Sequence, residues 1–132
     1  MKEFKRFAVW SNVFYLLPLV LAIYYQLWVV AFVLLLVIAS SVAFHSSGEK
    51  NYIYSDWDAA ALLIIANLVL WYLSGFELFY SMAIIGLALM ALSIRFFIEH
   101  HNRGGIAHGF WHLTSAAVTL LCVLSYTTSV LH

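Results

Sequence analysis

Residues 7–44, FAVWSNVFYLLPLVLAIYYQLWVVAFVLLLVIASSVAF, run for 38 positions without a formal charge, and the length of that run decides the fold. As one α-helix it would extend about 57 Å at 1.5 Å per residue, nearly two hydrocarbon thicknesses of a bilayer. No single span uses that length. The aromatic pair Tyr24-Tyr25 beside the amide of Gln26 marks an interfacial break, which predicts spans over 7–24 and 27–44. Pro18 predicts a kink in the first, because its ring removes a helical donor and crowds the preceding turn.

Working outward, the pattern repeats. Ala59 to Phe76 is uncharged and closes at Ser74-Gly75-Phe76-Glu77, where glycine supplies the turn and Glu77 must reach water, predicting a third span over 57–73. Leu78 to Ile94 opens a fourth over 78–97, which closes at Arg95 and the cluster Glu99, His100, His101, Asn102, Arg103 that hydrocarbon would not tolerate. After Gly104-Gly105, residues 106–131 contain no Asp, Glu, Lys or Arg and form a fifth, long enough to span with tilt. The expected fold is an all-α integral membrane bundle of five transmembrane helices forming one domain, 1–132. A cleavable signal peptide is the rival reading of the first span, given Lys2, Lys5 and Arg6. It fits poorly, because the apolar run continues too far and Leu21-Ala22-Ile23 lacks a small-x-small site.

Composition agrees. The chain is 65% hydrophobic and 9% charged, whereas a soluble surface carries roughly a quarter to a third charged residues. A soluble enzyme, a disordered chain and a nucleic-acid binder are excluded. Cys122 stands alone, so no intramolecular disulfide can form, and it is expected to pack as a small hydrophobe. With five spans, the N-terminus and the loops after spans two and four share one face. All six basic residues, Lys2, Lys5, Arg6, Lys50, Arg95 and Arg103, fall there. The positive-inside rule then predicts a multi-pass protein of the cell membrane with a cytoplasmic N-terminus and His132 outside.

Ionisable and polar groups within apolar spans carry a cost and mark function. Ser41 and His45 end span two, Asp56 and Asp58 start span three, and His108 and His112 start span five. The topology brings all six to the cytoplasmic side. His108 and His112, four apart, occupy one helix face at the spacing with which two imidazoles bind one metal, and His45 can supply a third ligand. Three imidazoles around Zn²⁺ with an open fourth position form a catalytic arrangement, in which the ion activates water and polarises a carbonyl. Asp56 would hold and deprotonate the water, and Ser41 would donate to the oxyanion or orient the water.

Blander readings stand beside these. A histidine pair can simply hydrogen-bond between helices, and Asp58 is better read as an acid favoured by the dipole at a helix N-terminus. His100 and His101 read as solvated interfacial side chains, and His132 carries no signal. Trp10, Trp28, Trp57, Trp71 and Trp111 read mainly as interfacial or packing aromatics.

At Ser41-Val42-Ala43-Phe44-His45, then Asp56, then His108-Gly109-Phe110-Trp111-His112, the chain resembles the CREST superfamily of membrane hydrolases. That family includes alkaline ceramidases, adiponectin and progestin receptors, hemolysin III proteins, myomaker-like proteins and GPI-anchor-remodelling lipases. Asp56-Trp57-Asp58 looks like the receptor motif, HGFWHL is similar to the ceramidase version, and Trp10-Ser11-Asn12 is similar to the ceramidase first helix. The resemblance implies that His45, His108 and His112 are zinc ligands and that Ser41 and Asp56 complete the site. The family core has seven helices against five here, so a second subunit in a homo-oligomer is expected to supply missing walls of the lipid cavity. Met1-Lys2-Glu3-Phe4-Lys5-Arg6, ahead of the first helix, does not resemble the acidic calcium-binding segment of animal ceramidases, so calcium regulation is not expected from the resemblance.

The expected function is zinc-dependent intramembrane hydrolysis of an amide or ester acyl bond in a membrane lipid, ceramidase-like or lipase-like. The alternative is a receptor-like or scaffold membrane protein in which zinc ties spans two, three and five together.

Overall fold

The computed structural model describes residues 7–47, 51–94, 96 and 105–130. Five helices carry them: α1 (Phe7–Tyr24), α2 (Trp28–Ser47), α3 (Asn51–Leu73), α4 (Leu78–Ser93) and α5 (Gly105–Val130). There is no strand among the described residues. The six Lys and Arg on which sidedness turns, together with His100, His101 and His132, lie outside the described residues, as does the end of span five at residue 131.

The break between α1 and α2 falls where the aromatic pair predicts it. Gln26 adopts φ 60°, the left-handed conformation that ends many helices. The Leu27 N–H donates to the Ala22 carbonyl at 2.7 Å and the Gln26 N–H to the Ile23 carbonyl at 3.0 Å. This bond pair is a Schellman cap, closed here without glycine, and it satisfies carbonyls that would otherwise be left bare. Gly75 (φ 73°) and Phe76 (φ 56°) turn the chain between α3 and α4. Exposed Glu77 caps α4, its carboxylate accepting from the Tyr80 N–H at 3.3 Å.

Within α1, residues Ser11–Tyr15 tighten to a 3₁₀ helix just before buried Pro18. The proline cannot donate to the Phe14 carbonyl, so the turn beneath it departs from α geometry. In the same stretch the Asn12 side chain donates to the carbonyls of Ala8 and Val9 at 3.1 and 3.2 Å.

α3 contains the span expected over 57–73 and is helical from Asn51, with no acid in its first turn. The onset of the uncharged run is a hydropathy boundary, whereas helix continuity is set by backbone bonding, and Asn51-Tyr52-Ile53-Tyr54-Ser55 contains no breaker. The dipole explanation for Asp58 is therefore corrected: Asp56 and Asp58 lie beyond the first turn, and Asp58 faces outward, exposed. The α-helix of α4 ends at Ser93, with π-helical turn at Ile94 and Phe96, and the expected end of the span at 97 lies outside the described residues. Its 16 α-helical residues reach about 24 Å, short of a hydrocarbon core of about 30 Å. The other four helices are each long and apolar enough to cross a membrane.

α5 is the central helix. It packs against α1, α3 and α4, while α2 packs on α1 and α3 and not closely on α5. The sides of the bundle are apolar, with residues such as Val29, Phe32, Leu68 and Leu89 exposed. Its interior is the more polar part: Ser11, Asn12, Ser41, Asn67, Thr119 and Ser125 are all buried. This inversion suits hydrocarbon surroundings, where exposing leucine costs nothing and polar side chains bind between helices. Asn67 of α3 donates to Thr119 of α5 at 3.0 Å, an interhelical bond of a kind worth about 0.6 kcal/mol on average in a bilayer. Cys122 is buried and behaves as the small hydrophobe expected of it. Trp71 donates to Ser81 at 2.8 Å and stacks edge-on with Phe76, locking the α3–α4 hairpin.

Candidate metal centre

The ends of four helices meet at one end of the bundle. α2 delivers Ser41 and His45 in its last turns, α5 delivers His108 and His112 in its first, α1 contributes Ser11 and Tyr15, and α3 contributes Asp56. Helical spacing alone stacks His108 over His112, with ring centroids 4.6 Å apart. Tertiary packing brings His45 to them, 4.6 Å from His108 and 5.8 Å from His112 between ring centroids.

One ring nitrogen from each of the three lies within 4.8 Å of the other two. Zinc–imidazole bonds of about 2.0–2.1 Å place the ligand atoms of a shared tetrahedral ion a little over 3 Å apart, so modest rotamer adjustment closes this set around one ion. The donor chemistry fits as well, since neutral imidazoles suit zinc and the neighbouring transition metals. His112 is 3% exposed and the other two are half-buried. The group joins α2 to α5, whose contact runs through these side chains rather than through closely packed backbones. Gly109 permits the approach of α1 on the other flank, because a Cβ there would run into the Phe7 ring.

Ser41 is fully buried, with its Oγ 3.4 Å from His112 Nε2. It sits one turn deeper than His45, as the sequence spacing predicts. Asp56 does not belong to the three-imidazole group. It lines a cavity of about 180 Å³ together with His112, Tyr15 and Trp111, and the cavity continues between the apolar side chains of Leu63 and Ile64. Of the five residues singled out from sequence, Asp56 and His112 line that cavity, while His45, His108 and Ser41 adjoin it through His112. Trp111, read from sequence as a packing aromatic, forms part of its wall.

Two further residues enter that sequence reasoning gave no role. Ser11 Oγ lies 2.8 Å from His112 Nδ1, and the Tyr15 ring packs against the same imidazole at 6.0 Å between centroids. The available signal was a Ser-Asn pair inside an apolar span at the depth of the histidines.

Compared with protein-family models, with curated proteins and with solved structures, the chain finds no match.

Proposed function

We propose that the chain is a zinc-dependent hydrolase of the CREST type, acting on the acyl amide or ester bond of a membrane lipid. The observation that carries this reading is the convergence of three imidazoles within 4.8 Å beside an apolar cavity with Asp56 on its wall. His45, His108 and His112 would hold the ion, which when bound supplies an activated water and a polarised carbonyl.

The remaining work falls to the chain. Leu63, Ile64 and Ala60 line a slot for an alkyl segment and exclude bulk water from its reactive end. Asp56, half-buried at the cavity edge, takes the proton of the attacking water and returns it to the departing amine or alcohol. Ser41 donates its hydroxyl proton to the carbonyl oxygen as negative charge develops there. Water adds across the scissile bond, releasing a fatty acid and an amine or alcohol. The chain is a multi-pass cell-membrane protein in this reading, with its centre toward the cytoplasmic side, where the six basic residues fall.

The test is release of fatty acid from ceramide and from acyl-ester lipids by purified protein, with and without a chelator. Hydrolysis that stops on chelation and returns on adding zinc is the expected result. Bound zinc with no cleavage of either lipid class would overturn it in favour of a scaffold, in which the ion merely bridges α2 and α5.

A further inference from the structure

His112 has two ring nitrogens, and only one of them can serve a metal. Ser11 Oγ stands 2.8 Å from Nδ1, and the same oxygen stands 2.8 Å from the carbonyl of Ala8. A carbonyl only accepts, so the single hydroxyl proton of Ser11 goes to Ala8. Toward the imidazole Ser11 can then only accept, which requires that Nδ1 carry the proton. The opposite assignment would leave two lone-pair oxygens facing each other at 2.8 Å. With Nδ1 protonated, the lone pair sits on Nε2, the nitrogen that faces Ser41 at 3.4 Å.

We propose that Ser11 is a positioning residue that selects the Nδ1–H tautomer of His112 and aims the Nε2 lone pair at the metal position. Neither the HxxxH spacing nor Ser41-to-His45 assigns this role. The bond joins residues 101 apart in sequence, and it couples the tightened turn of α1 to the first turns of α5. The local structure equips Ser11 for it. The 3₁₀ turn Ser11–Tyr15 and the Asn12 side-chain bonds to the carbonyls of Ala8 and Val9 hold this part of α1 in place. Ser11 is itself 1% exposed, so water does not compete for Nδ1. An outer partner on a ligating histidine fixes ring orientation and raises ligand basicity, and losing such a partner typically costs about 10–100-fold in metal affinity.

The inference rests on His112 being a ligand for its consequence, but not for the tautomer itself, and the test separates the two. In metal-free protein labelled with ¹⁵N-histidine, at a pH where the ring is neutral, the wild-type His112 Nδ1 should show the shift of a protonated nitrogen and Nε2 that of a bare one. Ser11→Ala should lose this preference and bind zinc about 10–100-fold more weakly, and Ser11→Thr, which keeps the hydroxyl, should restore both. A wild-type His112 protonated at Nε2 overturns the inference. So does a Ser11→Ala protein with unchanged tautomer and zinc affinity. A Ser11-dependent tautomer in a protein that binds no zinc upholds the Ser11 assignment and overturns the metal reading instead.

Discussion

Asp56→Ala is expected to lower lipid hydrolysis by about 10²–10⁴-fold, the range associated with a positioned general base, while leaving the metal bound. The separation follows from the geometry. Asp56 shares the cavity wall with His112, but its carboxylate is not in the group of ligand atoms within 4.8 Å of one another, so under the proposed mechanism its loss removes a proton acceptor and not a ligand. Because it lies beyond the first turn of α3, which begins at Asn51, the helix backbone on both sides holds its direction. Alanine is a good helix former and leaves that backbone intact. Single-turnover hydrolysis measured beside metal content on the same preparation checks the prediction. Loss of metal together with activity would make Asp56 a ligand, and retained activity would remove it from the chemistry.

His112→Ala is expected to empty the site. Of the three imidazoles, this is the fully buried one, and its ring is contacted by both Ser11 and Tyr15 of α1. In the proposed centre its deletion removes one ligand of three, so affinity should fall by more than the roughly 10–100-fold that loss of an outer partner costs. Stability reports the loss directly. A metal that binds only the folded state stabilises it by about 4 kcal/mol when present at 1,000 times its Kd. Zinc should therefore raise the melting temperature of detergent-solubilised wild type and leave that of His112→Ala nearly unchanged. An equal zinc-dependent rise in both proteins would exclude His112 from the centre.

Much of the architecture could be read from the chain because hydrocarbon imposes few choices. A 38-residue uncharged run must break once, and the aromatic pair before Gln26 marks the place. Gly75 beside Glu77 is similarly explicit. The start of α3 was hidden for a physical reason: hydropathy marks where charged residues end, whereas Asn51–Ser55 contain no helix breaker and continue the backbone bonding. The histidine centre was visible because HxxxH enforces one face and because alternating spans return His45 to the same end. Ser11 stood out only as part of Trp10-Ser11-Asn12, and its histidine partner was not visible. A serine in an apolar span has no period or spacing that distinguishes a histidine partner from a local backbone bond. Ser40, whose hydroxyl donates to the Val37 carbonyl one turn back, looks the same in sequence.

The central claim is that imidazoles from the end of α2 and the start of α5 share one ion. X-ray absorption at the zinc edge of purified wild-type protein tests it most directly. The account predicts about three imidazole nitrogens at about 2.0–2.1 Å, one further light-atom ligand, and no sulfur. A spectrum with sulfur in the first shell or a single imidazole, or a carefully prepared protein that takes up no zinc, would contradict it.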